Sequence, residues 1–161
     1  MAVEDLVDRL PIELGRSEPV RIDQRKDDVH ADTTGDAQWI HNDPDRARRE
    51  SPFGGPVVQG FLLLSLLTRL SSGLRFPEYG DVQMLVNYGF DRVRFVAPVP
   101  VSASVRLTGR LVEVRPRDDG SGVLAVDVEL HADGAAAPAV VARWLFLAVP
   151  APGRGAVPEQ P

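Results

Sequence analysis

The stretch from Phe61 to Leu70, FLLLSLLTRL, limits this chain more than any other. Only Ser65, Thr68 and Arg69 interrupt it, so at helical pitch its apolar residues fall on nearly every side. A helix of that kind has to be enclosed by other structure. The longest apolar run, Gly60 to Leu67, is far below the roughly 20 residues a membrane span needs, so the cover has to come from the rest of the chain.

Beyond the helix the chain reads as β. MLVNYGFDRVRF (84–95), VSASVRLTGRLVEVRP (101–116), GVLAVDVELHAD (122–133) and AVVARWLFLAV (139–149) are rich in β-branched and aromatic residues and alternate in places. DDGSG (118–122) has hairpin-turn chemistry, and DGAAAP (133–138) joins the next pair. Ahead of the helix, EPVRI (18–22) is a strand candidate, Asp23 an N-cap for a helix ending near Gly35, and Asp43 followed by Pro44 the start of another. Residues 1–12 have helical spacing stopped by Pro11, and 150–161 reads as a flexible tail of Pro, Gly and Ala. These elements predict one domain over residues 1–149, of α+β class. An antiparallel meander after one buried helix gives a sheet wrapped around that helix, the hot-dog fold.

Charge and composition narrow the function. A net charge of −5 opposes a general nucleic-acid surface, and the RARR run at 46–49 sits among acids. With no cysteine there is neither a disulfide framework nor thiolate chemistry. The N-terminus, MAVEDLVDRL, lacks the basic start and apolar core of a secretory signal. A soluble, cytoplasmic protein is expected.

The chemistry concentrates between Thr34 and Gly60, in TGDAQWIHNDP and PFGGPVVQG. A carboxylate, Asp36, and an imidazole, His41, precede a glycine that opens the apolar helix. Together they have the parts of an acid/base site beside an oxyanion-binding amide. Five residues apart on one helix they would point to different faces, so both are expected in the turn after Gly35. Taken singly, Asp36 reads as a turn residue, His41 as a structural histidine bonded to Asp43, and Gly60 as plain turn glycine. Ser65 lacks a nucleophile elbow, which removes an Asp36–His41–Ser65 triad. The spacing of His30, Asp36, His41 and Asp43 fits no common metal-ligand pattern.

These residues carry a family resemblance that spans roughly Leu14 to Val149. Gly35, Asp36, His41 and Ala47, with PFGG (52–55), VQGF (58–61) and NYGFDRVRFVAPVPV (87–101), resemble the MaoC-like dehydratases, or (R)-specific enoyl-CoA hydratases, and among them the NodN-like branch. The resemblance implies reversible hydration of a trans-2-enoyl thioester of coenzyme A or an acyl carrier protein. In that reading Asp36 is the main base, His41 its partner on the catalytic water, and Gly60 N–H the oxyanion donor, with Gln59, Phe61, Thr68, Asn87 and Tyr88 near substrate. It also implies a homodimer and no cofactor. Alternatives are elimination on a specialised polyketide-like intermediate, or a non-catalytic acyl-binding subunit. Two departures stand out: Asp27 and His30 occupy positions where relatives carry an apolar residue and Phe, and Ser102 stands for a common glycine. An exposed i,i+3 ion pair is the simpler reading of Asp27 and His30, a reshaped pocket the sharper one.

Overall fold

The computed structural model describes residues 4–78 and 82–151. Most of the expected tail, residues 152–161, lies outside them, as does the start of the N-terminal helix. In chain order a 3-10 turn (Glu4–Arg9) leads into β1 (Ile12–Arg16), β2 (Val20–Arg21), α1 (Gln24–Thr34), α2 (Trp39–Asn42), α3 (Pro44–Glu50) and α4 (Gly60–Ser71). Four long strands complete the chain: β3 (Val82–Phe95), β4 (Ser104–Pro116), β5 (Gly122–Ala132) and β6 (Val140–Pro150).

The strands form one antiparallel sheet in the order β1-β4-β5-β6-β3, with β2 also paired to β4. Two hairpins, β4–β5 and β5–β6, set the centre of this order, and β3 reaches its place at the edge beside β6 across the whole meander. The sheet's inner face, including Leu107, Leu111, Leu124, Val126, Leu130 and Trp144, packs against Leu62, Leu63, Leu67 and Leu70 of α4 in one core. Burying such side chains contributes about 1.5–3 kcal/mol each, which is what seats the helix across the sheet.

The enclosure of α4 is one-sided. Leu62, Leu63, Leu67 and Leu70 are buried, but Phe61 is 65 % exposed and Ser65, Thr68 and Arg69 face outward. A sheet covers one flank of a helix, so the opposite flank stays open in a single chain. The same side of the molecule exposes Phe95, which meets Phe61 edge-on at 5.8 Å between ring centroids. Met84 and Tyr88 lie exposed on β3, whose outer edge no strand of the described residues covers.

Local signals held at the helix ends. The Asp23 carboxylate accepts from Lys26 N–H, Gly35 closes α1 in the left-handed region at φ 77°, and Asp43 caps α3 by accepting from Arg46 N–H. β1 has a weak sequence signature because it is five residues long and broken by a register shift at Gly15. Ser102 has a left-handed backbone, φ 78°, at the position where the resemblance leads to an expected glycine. A side chain there costs about 1–2 kcal/mol, and the bond from Ser102 N–H to Ile22 O helps to hold it.

Candidate active site

Asp36 lies half-buried just beyond Gly35, in the connection from α1 to α2. His41 is not in that turn with it, as the spacing suggests. Its amide bonds the carbonyl of Gln38 at 3.0 Å, and the Asn42 amide bonds the same oxygen at 3.2 Å, closing the one-turn helix α2. Residues five apart point to different faces only within one helix. Here a change of element between the two residues re-aims them.

The segment Val57–Gly60 ties both to the start of α4. His41 Nδ1 lies 2.6 Å from Val57 O, and Val57 N–H bonds back to Ile40 O at 3.1 Å. A carbonyl only accepts, so Nδ1 carries a hydrogen, and in the neutral ring Nε2 keeps its lone pair. The bond also removes the Asp43 alternative, since Asp43 is committed to α3. Two residues further on, Gln59 Nε2 donates to the backbone carbonyl of Asp36 at 2.6 Å. Gln24 steadies α2 from beneath: its Nε2 donates to His41 O at 2.7 Å and to Asp28 Oδ1 at 2.9 Å. Asn42 Nδ2 reaches the same Asp28 oxygen at 2.8 Å.

Gly60 is the first residue of α4, where an amide has no partner within the helix and the dipole favours negative charge. A Cβ on Gly60 would meet the Phe95 ring at 3.2 Å. The close packing of that ring explains a glycine here.

The remaining expected residues divide. Gln59 and Gly60 join Asp36 and His41. Phe61 is exposed beside them, and Thr68, exposed, lies about two turns along α4. Asn87 and Tyr88 sit on the edge strand. Asn87 Oδ1 accepts from the Trp144 indole at 2.7 Å, and Tyr88 lies under the Arg117 guanidinium, 5.7 Å from its ring centroid. No hydrogen bond joins either to Asp36 or His41 among the described residues.

Asp27 overturns the exposed ion-pair reading. It is fully buried, its Oδ1 accepts the Gln59 backbone N–H at 3.1 Å, and Oδ2 has no hydrogen-bond partner. Burial pushes its carboxyl above the ordinary range, while the Gln59 amide and His41 pull the other way. The α1 sequence hid this because its mean polarity suggests a solvated helix, while the covering residues lie over 30 positions away. His30 is half-buried and lines, with Val29, Thr33 and Leu62, a groove of about 480 Å³ between α1 and α4.

Comparison with known proteins shows the family and the fold. Residues 11–133 match the model of the MaoC like domain. The chain is 40 % identical over 148 residues to Nodulation protein N of Rhizobium leguminosarum bv. viciae, covering 91 % of each. It is also 40 % identical to 3-hydroxyacyl-thioester dehydratase Z of Mycobacterium tuberculosis, over 88 % of this chain and 91 % of that protein. Among solved structures, a MaoC-like dehydratase from Rhodospirillum rubrum superposes with a TM-score of 0.74 at 17 % identity, covering 94 % of this chain and 99 % of that one. An (R)-hydratase from A. caviae involved in PHA biosynthesis does so at 0.66 and 24 % identity, over 84 % and 93 %. Both share the hot-dog arrangement.

Proposed function

The chain belongs to the MaoC-like family of dehydratases, and we propose that it is a hydro-lyase interconverting trans-2-enoyl and (R)-3-hydroxyacyl thioesters. The observation that carries this is the Val57 carbonyl on His41 Nδ1. It leaves Nε2 as an acceptor, and Asp36 as a carboxylate also only accepts. A water held by both donates its two O–H bonds to them, which turns an oxygen lone pair toward the β-carbon of an enoyl thioester.

The reaction then balances with side chains alone. The water oxygen bonds the β-carbon as Asp36 takes one proton, with His41 orienting the water and sharing that proton. Electron density moves to the thioester oxygen, where the Gly60 N–H at the start of α4 receives it. The proton returns to the α-carbon, completing addition of water, and the reverse order is dehydration. The dehydratase Z relative, by its name, acts on 3-hydroxyacyl thioesters, which supports the thioester as the substrate class.

Loss of the enoyl-thioester absorbance on adding enzyme to crotonyl-CoA and longer trans-2-enoyl-CoAs is the direct test. Inactivity at every chain length removes the simple hydratase reading and leaves carrier-bound 3-hydroxy intermediates or acyl binding without turnover to be assayed.

The active unit we propose is a homodimer. The open flank of α4 and the unpaired edge of β3 carry Phe61, Met84, Phe95 and Val96, each about half exposed or more. Phe61 and Phe95 touch there, and exposed apolar side chains beside an unpaired strand edge mark an association surface. Analytical ultracentrifugation is expected to give two chains per particle at micromolar concentration, and a single-chain mass there ends this proposal.

A further inference from the structure

Asp27 is a further carboxyl beside this site, and the hydration chemistry does not use it. Its Oδ1 holds the N–H of Gln59, the residue directly before Gly60. Gln59 in turn holds the Asp36 carbonyl through Nε2. The one side chain therefore anchors the segment that presents both the oxyanion amide and the carboxylate.

The surroundings of Asp27 contain more acceptors than donors. Its Oδ2 and the side-chain oxygen of Gln59 are both buried without a donor. An ionised carboxylate here would leave a charged oxygen desolvated and unpaired, a costly arrangement. The neutral acid adds a donor instead. The titratable groups that face it are His41 from α2 and Asp28 and His30 from α1 itself, with the α4 N-terminus closing the site. A neighbouring carboxylate, Asp28, also disfavours a second negative charge.

Resting on the hydratase reading, we propose that Asp27 is a positioning residue that works as an uncharged carboxylic acid. It fixes Gly60 N–H through Gln59, and its ionisation slows turnover. The physical reason is its place. A negative charge one residue from Gly60 opposes the negative charge that gathers on the thioester oxygen.

The test compares pH profiles of kcat for wild type and Asp27→Asn, whose side chain keeps an acceptor for Gln59 N–H but cannot ionise. Asp27→Asn is expected to keep kcat within about threefold of wild type at neutral pH and to lose the alkaline fall that wild type shows. A drop of tenfold or more across the whole range, or an unchanged alkaline fall, overturns the proposal. The infrared carbonyl band of a protonated carboxyl provides a readout free of turnover and of the variant's folding. In wild type it is expected to persist at neutral pH and to bleach as pH rises, and its absence at neutral pH also overturns the proposal. Because the band needs no substrate, failure of the hydratase reading and failure of the Asp27 assignment are told apart.

Discussion

Asp36→Asn and His41→Ala are each expected to lower kcat on a trans-2-enoyl-CoA by about 10²–10⁴-fold, the range for removing an acid/base group. Asn matches Asp in shape but does not take a proton from water. The bond from Gln59 Nε2 to the residue-36 carbonyl involves backbone and survives the change, so the loss in Asp36→Asn reports chemistry rather than placement. His41→Ala removes the second acceptor for the water and also frees the Val57 carbonyl. Its near-ultraviolet circular dichroism has to match wild type before its rate is compared. Since neither side chain is the oxyanion donor, KM is expected to move much less than kcat. An Asp36→Asn enzyme with kcat within threefold of wild type sinks the assignment of Asp36 as base.

The second large effect is on stability. Leu67 is 1 % exposed on the sheet-facing side of α4 and belongs to the same cluster as Leu63, Leu70, Leu107 and Leu130. Leu67→Ala removes three carbons from the middle of that contact. The sheet is hydrogen-bonded into a fixed frame and follows the loss only in part, so a cavity adds to the transfer term. The expected cost is about 2–5 kcal/mol, and at roughly 2–4 °C per kcal/mol for a chain of this size the Tm falls by about 4–20 °C. Denaturant unfolding measures it, and a loss under about 1 kcal/mol means that α4 is not seated on the sheet through Leu67.

Asp27 adds a pH dependence of opposite sign to the usual carboxylate. Its folded carboxyl is raised above the ordinary value of 3.8. Its contribution to stability is then fully present below that value and is lost as pH rises through the folded pKa. Asp127, held low by the Arg143 guanidinium, runs the other way: its contribution is present above the ordinary carboxylate range and lost as pH falls. That pair is about a third exposed, so solvent screens it and the Asp127 contribution is small.

The sequence alone determined what short-range physics can determine. Caps at Asp23, Gly35 and Asp43 and the DDGSG turn act within a few residues, and alternation in the long strands needs no distant partner. The Asp36–His41 spacing likewise stands in one short stretch, and with the NYG block it was enough to point to the family. Tertiary structure decided the rest. It put His41 on Val57, 16 positions away, Asp36 under Gln59, 23 away, and Asp27 beneath Gln59, 32 away. It also left one flank of α4 open where the apolar run predicted full enclosure. Whether a carboxyl is solvated or buried depends on which atoms the fold stacks over it, and neither propensity nor periodicity along α1 contains that information.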